Sequence, residues 1–161
     1  DRNQINQLGQ LMDLAANIQM LLPLACEWAN ETSDKIQTHG MPLNDAEIDI
    51  AKKVGVAFPQ KVRVLEASAL ALPDNAFLKE AVLETGLLGG NMAGLTLGHS
   101  IYIRSGQMSV RLLSHELRHV HQYETFESVE NFMSEYLSQI IKYGYTDSPL
   151  EVDARLHEIT S

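Results

Sequence analysis

Apolar side chains recur at helical spacing along the first part of the chain. Spacings of three and four residues predict a helix with one buried face from Ile5 to about Ile36, which Pro23 is expected to kink or split. Asn44, followed three residues later by Glu47, predicts the capped start of a second, short helix. The apolar positions of the first helix are Ile5, Leu8, Leu11, Met12, Ala15, Ile18 and Leu22.

The middle of the chain changes to the two-residue period of β-strands. Lys61–Glu66 alternates charged with aliphatic side chains, which predicts a strand with one buried face. Leu95–Leu97 and Ile101–Ile103 are rich in aliphatic, β-branched and aromatic residues and fit either a hairpin or one bulged strand. We favour a single edge strand. Between the strand regions, a third helix is expected from Pro73-Asp74 to Gly86, followed by a glycine-rich loop at 86–94.

Helical spacing returns in the last third of the chain. It predicts helices at about 109–124 and 126–142 and a final helix starting at Ser148-Pro149. These elements predict an α+β fold in a single domain spanning 1–161. In this arrangement a helical N-terminal layer, 1 to about 58, packs on a small twisted sheet and on the helix predicted at about 109–124. The sheet is expected to contain 61–67 and 95–104.

Charge and composition exclude several classes of partner. The formal net charge of −9 provides no basic surface for phosphate, so nucleic acid is not an expected partner. The most apolar stretch, Met20–Ala25, is far shorter than the ~20 residues of a membrane-spanning helix. Cys26 is the one cysteine, which excludes an internal disulfide and a zinc site built from several cysteines.

The strongest chemical signal is His115-Glu116-Leu117-Arg118-His119, an H-E-x-x-H pattern. Histidines four residues apart lie on one face of a helix and can reach one metal ion, with the intervening glutamate beside them. Val110, Leu113, Leu117 and Val120 form an apolar stripe on the opposite side, so the histidines are expected to face a cleft. A chain of this composition contains the pattern by chance roughly 0.02 times.

This pattern predicts a catalytic zinc site. One Zn²⁺ would be held by His115, His119 and a third protein ligand, with one position left for water. Glu116 is expected to act as general base and to pass the proton of that water to the departing amine. Tyr145 first, and Tyr143 second, are the candidate donors to an oxyanion at the scissile carbonyl, because they precede the last helix.

Five segments of the last part of the chain carry a family resemblance: Leu112–Tyr123, Phe132, Tyr136-Leu137, Tyr143–Tyr145 and Ser148–Arg155. With them the chain resembles small bacterial zinc metallopeptidase domains of the gluzincin type. It is similar to the H-E-x-x-H domains found alone or attached to extracellular contractile injection systems, which pair H-E-[LI]-x-H-x-x-Q with a downstream N-P-x-E-x-x-A. The resemblance covers about 94–156 and implies a zincin-like fold, in which the extended segment 93–104 would bind a peptide by strand addition.

The resemblance implies Glu151 as the third metal ligand. An alternative role is structural, because Ser148-Pro149-Leu150-Glu151 is also a capping box in which Glu151 would bond back to the Ser148 amide. Glu135 is the first substitute as ligand. Two functions are therefore considered. The favoured one is a zinc-dependent peptidase acting on peptide or protein substrates, and the other is a non-catalytic or latent zinc-containing module that binds peptides within a larger assembly.

Overall fold

The computed structural model describes residues 2–85 and 92–160, and the side chains of 16–83 and 92–160. Within those residues the chain has an α+β fold with six helices and a mixed four-stranded sheet. The elements are α1 (Arg2–His39), β1 (Met41–Pro42), α2 (Asp45–Lys53), a 3₁₀ turn (Pro59–Lys61), β2 (Arg63–Ala67), α3 (Ala76–Thr85), β3 (Gly94–Leu97), β4 (Ser100–Arg104), α4 (Val110–Phe126), α5 (Val129–Tyr143) and α6 (Pro149–Leu156).

The sheet has the strand order β1-β2-β4-β3. β2 and β4 are parallel, with Arg63 opposite Ser100, and β3 pairs antiparallel with β4. The preference for a single edge strand at 95–104 was wrong, because β3 and β4 form a hairpin whose turn is Gly98-His99. Gly98 has a φ of 66°, which glycine adopts without steric penalty and which permits so short a turn. β3 is therefore the edge strand, and β4 lies inside the sheet.

The main core lies between the sheet and α4. Ile101 and Ile103 on β4 are fully buried, and they pack with Leu113, Leu117 and Val120 of the predicted stripe. Val110, the fourth predicted stripe position, is instead 42% exposed because it is the first residue of α4. The sheet thus covers the apolar face of α4, and the histidines lie on a different face of this helix.

The N-terminal helices contact two different parts of this core. α2 packs against α4, with Ala51 and Val54 buried. α1 covers the other face of the sheet, where the Ser33 hydroxyl lies 2.7 Å from the Ser100 hydroxyl, and it continues past the sheet to pack against α5 and α3. Of the two outcomes expected at Pro23, a kink or a split, the split does not occur, since α1 continues through this residue.

Local sequence signals explain where several helices begin. The Asn44 side chain accepts from the Glu47 amide and the Asn44 amide donates to the Glu47 carboxylate, which forms the expected capping box of α2. The predicted third helix is α3, and residues 86–91 of the predicted glycine-rich loop lie outside the described residues. Among the described helices, none combines the length and apolarity needed to cross a membrane.

Candidate metal centre

Helix α4 presents His115 and His119 on the side that faces helix α6, and Glu116 beside them toward the edge strand β3. The Ser109 side chain caps the start of this helix by accepting from the Leu112 amide, which fixes its first turn. Glu116 and His119 are buried, and the His115 side chain is 13% exposed. The three side chains are therefore held by a packed helix and are largely shielded from solvent.

Helix α6 brings Glu151 to the two histidines. The His115 Nε2 atom lies 3.1 Å from Glu151 Oε1, and the His119 Nε2 atom lies 3.1 Å from Glu151 Oε2. The capping box considered for Ser148 and Glu151 does not form. The Ser148 side chain accepts no hydrogen bond from the first turn of α6, and its hydroxyl donates to the Tyr145 carbonyl. Ala154 on α6 is fully buried, and so small a residue permits the close approach of α6 to α4.

Hydrogen bonds on the far side of each imidazole fix its orientation. His115 Nδ1 lies 2.8 Å from a Glu158 carboxylate oxygen, and His119 Nδ1 lies 2.7 Å from the Gln122 amide oxygen. Both partners are acceptors, so each Nδ1 carries a proton. In both rings the Nε2 atom is consequently the nitrogen that faces Glu151, as a metal-ligating histidine requires.

A second network holds the Gln122 side chain. Its amide nitrogen donates to the Leu150 carbonyl and to the Asp153 carboxylate, each at 2.9 Å. Because both donors of the amide point to α6, its oxygen must face His119. Asp153 also accepts from Arg118, so α4 and α6 are tied together beside the cluster.

The charges of the metal-free cluster are mutually dependent. Burial lowers the pKa of His119, but hydrogen bonding to Glu151 and its negative charge outweigh this effect and raise the pKa to about 9. Burial raises the pKa of Glu151, and hydrogen bonds from His115 and His119 outweigh it and hold that pKa well below its ordinary value. Protons on the two rings therefore compensate a buried carboxylate, which is the role a cation would take.

The three side chains fit one metal ion. Their ligand atoms all lie within 4.8 Å of one another. Ligand atoms at 2.0–2.2 Å from a tetrahedral zinc ion are about 3.4 Å apart, close to the 3.1 Å that separates each Nε2 from a Glu151 oxygen. Two imidazoles and one carboxylate are also a donor set that zinc takes in catalytic sites. His115, His119 and Glu151 thus lie close enough to bind a metal ion.

Glu116 lies beside this cluster and outside its ligand set. The Thr96 hydroxyl lies 3.0 Å from Glu116 Oε1, which connects the edge strand β3 to the carboxylate. Gly94 is also close, since a Cβ atom at this position would lie 3.1 Å from Glu116 Cγ. Burial raises the pKa of Glu116, although the neighbouring histidines lower it in part. A carboxylate with a raised pKa is better suited to accept and return a proton near neutral pH.

The two candidate tyrosines differ in their position relative to the metal centre, and a third tyrosine contacts it. Tyr145 is 53% exposed as a residue, yet it lines the same cavity as Glu116 and Glu151. Partial burial and the Glu151 charge raise its pKa, so its hydroxyl is a proton donor at neutral pH. Tyr143 lies under the Lys142 ammonium and is not among the residues that line the cavity, so its predicted role stays a prediction. Tyr136, which the sequence analysis names only among the residues that carry the resemblance, donates to Glu151 Oε2 at 3.0 Å.

The structure differs from the prediction for two other carboxylates, Glu135 and Glu158. Glu135, the substitute ligand, is exposed and accepts from Gln139, so it is outside the cluster. Glu158 is not among the predicted site residues, yet its carboxylate contacts both His115 and Arg111. No spacing rule could have identified Glu158, because it follows the end of α6 and reaches His115 only through tertiary packing.

A cavity of about 140 Å³ adjoins the centre. Its polar side contains Glu116, His119 and Glu151, and it follows β3 from Gly94 to Leu97. The opposite walls come from α1, α3 and α5. Among the described strands β3 pairs only with β4, and the cavity reaches both β3 and the carboxylate of Glu116.

Comparison with known proteins gave no match to a family model, to a curated protein or to a solved structure. The candidate metal centre is therefore defined by this chain's own geometry.

Proposed function

We propose that this chain is a zincin-like, zinc-dependent peptidase. The observation that carries the proposal is the meeting of His115, His119 and Glu151 at one point, with Glu116 beside them and outside the ligand set. A structural zinc site closes its coordination with four protein ligands, whereas a catalytic site uses three and keeps one position open. Three convergent ligands next to a cavity correspond to the second kind.

The chain's own residues would perform the proton transfers of peptide hydrolysis. A bound zinc ion would supply Lewis acidity, which makes water acidic near neutral pH and polarises a carbonyl. Glu116 would take a proton as the water oxygen bonds to the scissile carbonyl carbon, and would deliver it to the nitrogen as the C–N bond breaks. Tyr145 would donate a hydrogen bond to the carbonyl oxygen as negative charge develops there.

The substrate would bind as an extended strand along β3. Among the described strands, β3 pairs only with β4, along one of its two edges. Its residues also line the cavity. Backbone pairing gives affinity without requiring a particular side chain, so the proposal specifies a peptide and not a small metabolite. Thr96 connects this strand to Glu116 and sets the distance between the bound peptide and the base.

A peptide-library digest tests this function. Zinc-loaded wild type should cleave peptides, and Glu116→Gln should lose about 10²–10⁴-fold in rate with unchanged zinc content, because the variant keeps the shape and loses the base. Glu135→Gln is the matched control, since Glu135 is exposed and outside the cluster. Cleavage by neither wild type nor variant would favour a latent or peptide-binding module, and equal cleavage by both would contradict the mechanism.

Metal analysis tests the ligand set independently of activity. Wild type should retain one zinc per chain after dialysis against limiting zinc, while His119→Ala and Glu151→Gln should retain far less. Equal zinc content in wild type and His119→Ala would exclude this site.

A further inference from the structure

The hydroxyl of Tyr136 contacts the candidate ligand Glu151 and has no part in the proton transfers described above. It donates to Glu151 Oε2 at 3.0 Å, where Glu151 is only 2% exposed. A phenol keeps its proton at neutral pH, so this group is a donor to the carboxylate. A hydrogen bond to an ionised acceptor is roughly twice as strong as one between neutral groups.

The two oxygens of Glu151 have different partners. Oε1 lies 3.1 Å from His115 Nε2 and 3.3 Å from His119 Nε2, so it is the oxygen close to both rings. Oε2 lies 3.1 Å from His119 Nε2 and accepts the hydrogen bond from Tyr136. One oxygen is thus shared by the two histidines, whereas the other also serves a donor from α5.

We propose that Tyr136 is a positioning residue that makes Glu151 bind zinc through Oε1 alone. The proposal rests on the proposed function and adds to it, because it states how the fourth coordination position stays open. A carboxylate can bind a metal ion through one oxygen or through both. Two histidines and a two-oxygen Glu151 would fill the four positions of a tetrahedral site and leave none for water.

Stacked aromatic rings fix the position of the Tyr136 hydroxyl. The Tyr136 ring stacks on Phe132, four residues earlier in α5, with 5.4 Å between the ring centroids, and Phe132 stacks on Tyr123 of α4 at 3.8 Å. The His119 ring meets Tyr136 edge-on at 6.5 Å. Neighbours on two helices therefore constrain the ring, and a donor that is already ordered holds its acceptor at a lower entropic cost.

A second contact ties α5 to α6 beside this hydrogen bond. The Leu150 amide, next to Glu151 in α6, donates to Gln139 Oε1 at 2.9 Å. Tyr136 and Gln139 are three residues apart, so they lie on one face of α5 and reach α6 together. The Tyr136 hydroxyl is therefore held at Glu151 by the packing of two helices and not by its own bond alone.

Tyr145 also interacts with Glu151 but differs from Tyr136 in position. Tyr145 is 53% exposed and follows the end of α5, whereas Tyr136 lies within that helix. The two tyrosines therefore lead to different expectations. Tyr145→Phe should slow cleavage and keep the coordination of zinc, whereas Tyr136→Phe should change the coordination itself.

Crystal structures of the zinc-bound proteins test the role of Tyr136. Wild type should place Glu151 Oε1 about 2.0–2.2 Å from zinc, with Oε2 beyond that distance. In Tyr136→Phe, which keeps the ring and loses the donor, both oxygens should bind zinc. Tyr123→Phe is the matched control, because it removes a hydroxyl of the same stack that donates to Met133 Sδ at 3.8 Å, and it should keep the wild-type coordination.

The visible spectrum of the cobalt-substituted proteins gives the same comparison in solution. The absorption of bound Co²⁺ depends on the number and arrangement of its ligands, so the spectrum should change in Tyr136→Phe and stay that of wild type in Tyr123→Phe. At saturating zinc, Tyr136→Phe should retain one zinc ion per chain and cleave peptides about 10–100-fold more slowly than wild type.

Two Glu151 oxygens bound to zinc in wild type, or the same coordination in wild type and Tyr136→Phe, would overturn the role of Tyr136. Equal changes in Tyr136→Phe and Tyr123→Phe would overturn it too, since the stack and not the hydroxyl would be responsible. These results leave the peptidase standing if wild type cleaves peptides. A change confined to Tyr136→Phe, without cleavage by any of the proteins, would support the role and contradict the peptidase, and absence of zinc from wild type would overturn both.

Discussion

Replacement of Glu158 by alanine gives the sharpest prediction about residues outside the ligand set. Glu158 accepts from His115 Nδ1 at 2.8 Å and from Arg111 Nε at 2.7 Å. In Glu158→Ala the His115 ring loses the acceptor that fixes its Nδ1 proton and its rotation. The Nε2 atom is then no longer held toward Glu151, so we expect zinc affinity to fall while the fold is kept.

The size of the effect follows from the environment of the two contacts. Loss of an outer hydrogen-bond partner of a metal-binding histidine costs about 10–100-fold in metal affinity, or about 1.4–2.8 kcal/mol. The Arg111 side chain is 70% exposed, so the ion pair of Arg111 with Glu158 contributes little in itself. The loss should therefore come almost entirely from His115.

Zinc affinity measured by competition with a chelator tests this reasoning. Glu158→Ala should bind zinc about 10–100-fold more weakly than wild type, and Glu158→Gln, which keeps an acceptor oxygen, should lose less. Arg111→Ala is the matched control, because it removes the other partner of Glu158 and should change affinity a few-fold at most. Unchanged affinity in Glu158→Ala, or an equal loss in Arg111→Ala, would refute the role assigned to Glu158.

Three further predictions concern pH, the general base and a helix cap. The pKa of His119 is about 9 in the metal-free protein, so zinc must displace a proton from this ring to bind. Zinc affinity should therefore rise at least ~10-fold per pH unit from pH 6.5 to 8. Chelator-buffered titrations in which the zinc affinity does not depend on pH would contradict this. Gly94→Ala places a Cβ atom 3.1 Å from Glu116 Cγ and should displace the Glu116 carboxylate. The rate of peptide cleavage should fall by up to ~10²-fold with zinc content unchanged. An unaltered rate would show that the position of Glu116 does not depend on Gly94. Asn44→Ala removes the cap of α2 and should lower the free energy of unfolding in urea by about 1 kcal/mol, and an unchanged value would contradict the capping role.

The sequence predicts what depends on local spacing. Both histidines and Glu116 belong to one helix, so a four-residue spacing was enough to place them on one face. The capping box of α2 and the existence of a strand at β2 were also readable, because each involves residues within a few positions. The predicted alternation of buried and exposed positions was not found, since Arg63, Val64 and Leu65 are all half-buried. The hairpin at 95–104 was misjudged, since three residues between two short apolar runs fit a tight turn and a bulge equally well until the φ of Gly98 is known.

The rest of the site depends on how helices pack. Glu151 was suggested by a resemblance and not by its spacing, because a capping box explains the same residue. Tyr136 was not assigned to the site, since an amphipathic helix predicts which face is buried but not which atom that face meets. Glu158 was not assigned either, because it follows the end of α6 and reaches His115 only through tertiary packing. The apolar cavity could not be foreseen either, because its walls come from α1, α3 and α5, which meet only in the folded chain.

The central claim is that His115, His119 and Glu151 bind one zinc ion. Anomalous diffraction at the zinc absorption edge, from crystals of the protein grown with zinc, tests it directly. The account predicts one strong peak per chain about 2.0–2.2 Å from Nε2 of both histidines and from a Glu151 oxygen, with Glu116 outside this distance. A peak at other residues, or no peak between these side chains in zinc-saturated crystals, would contradict the account.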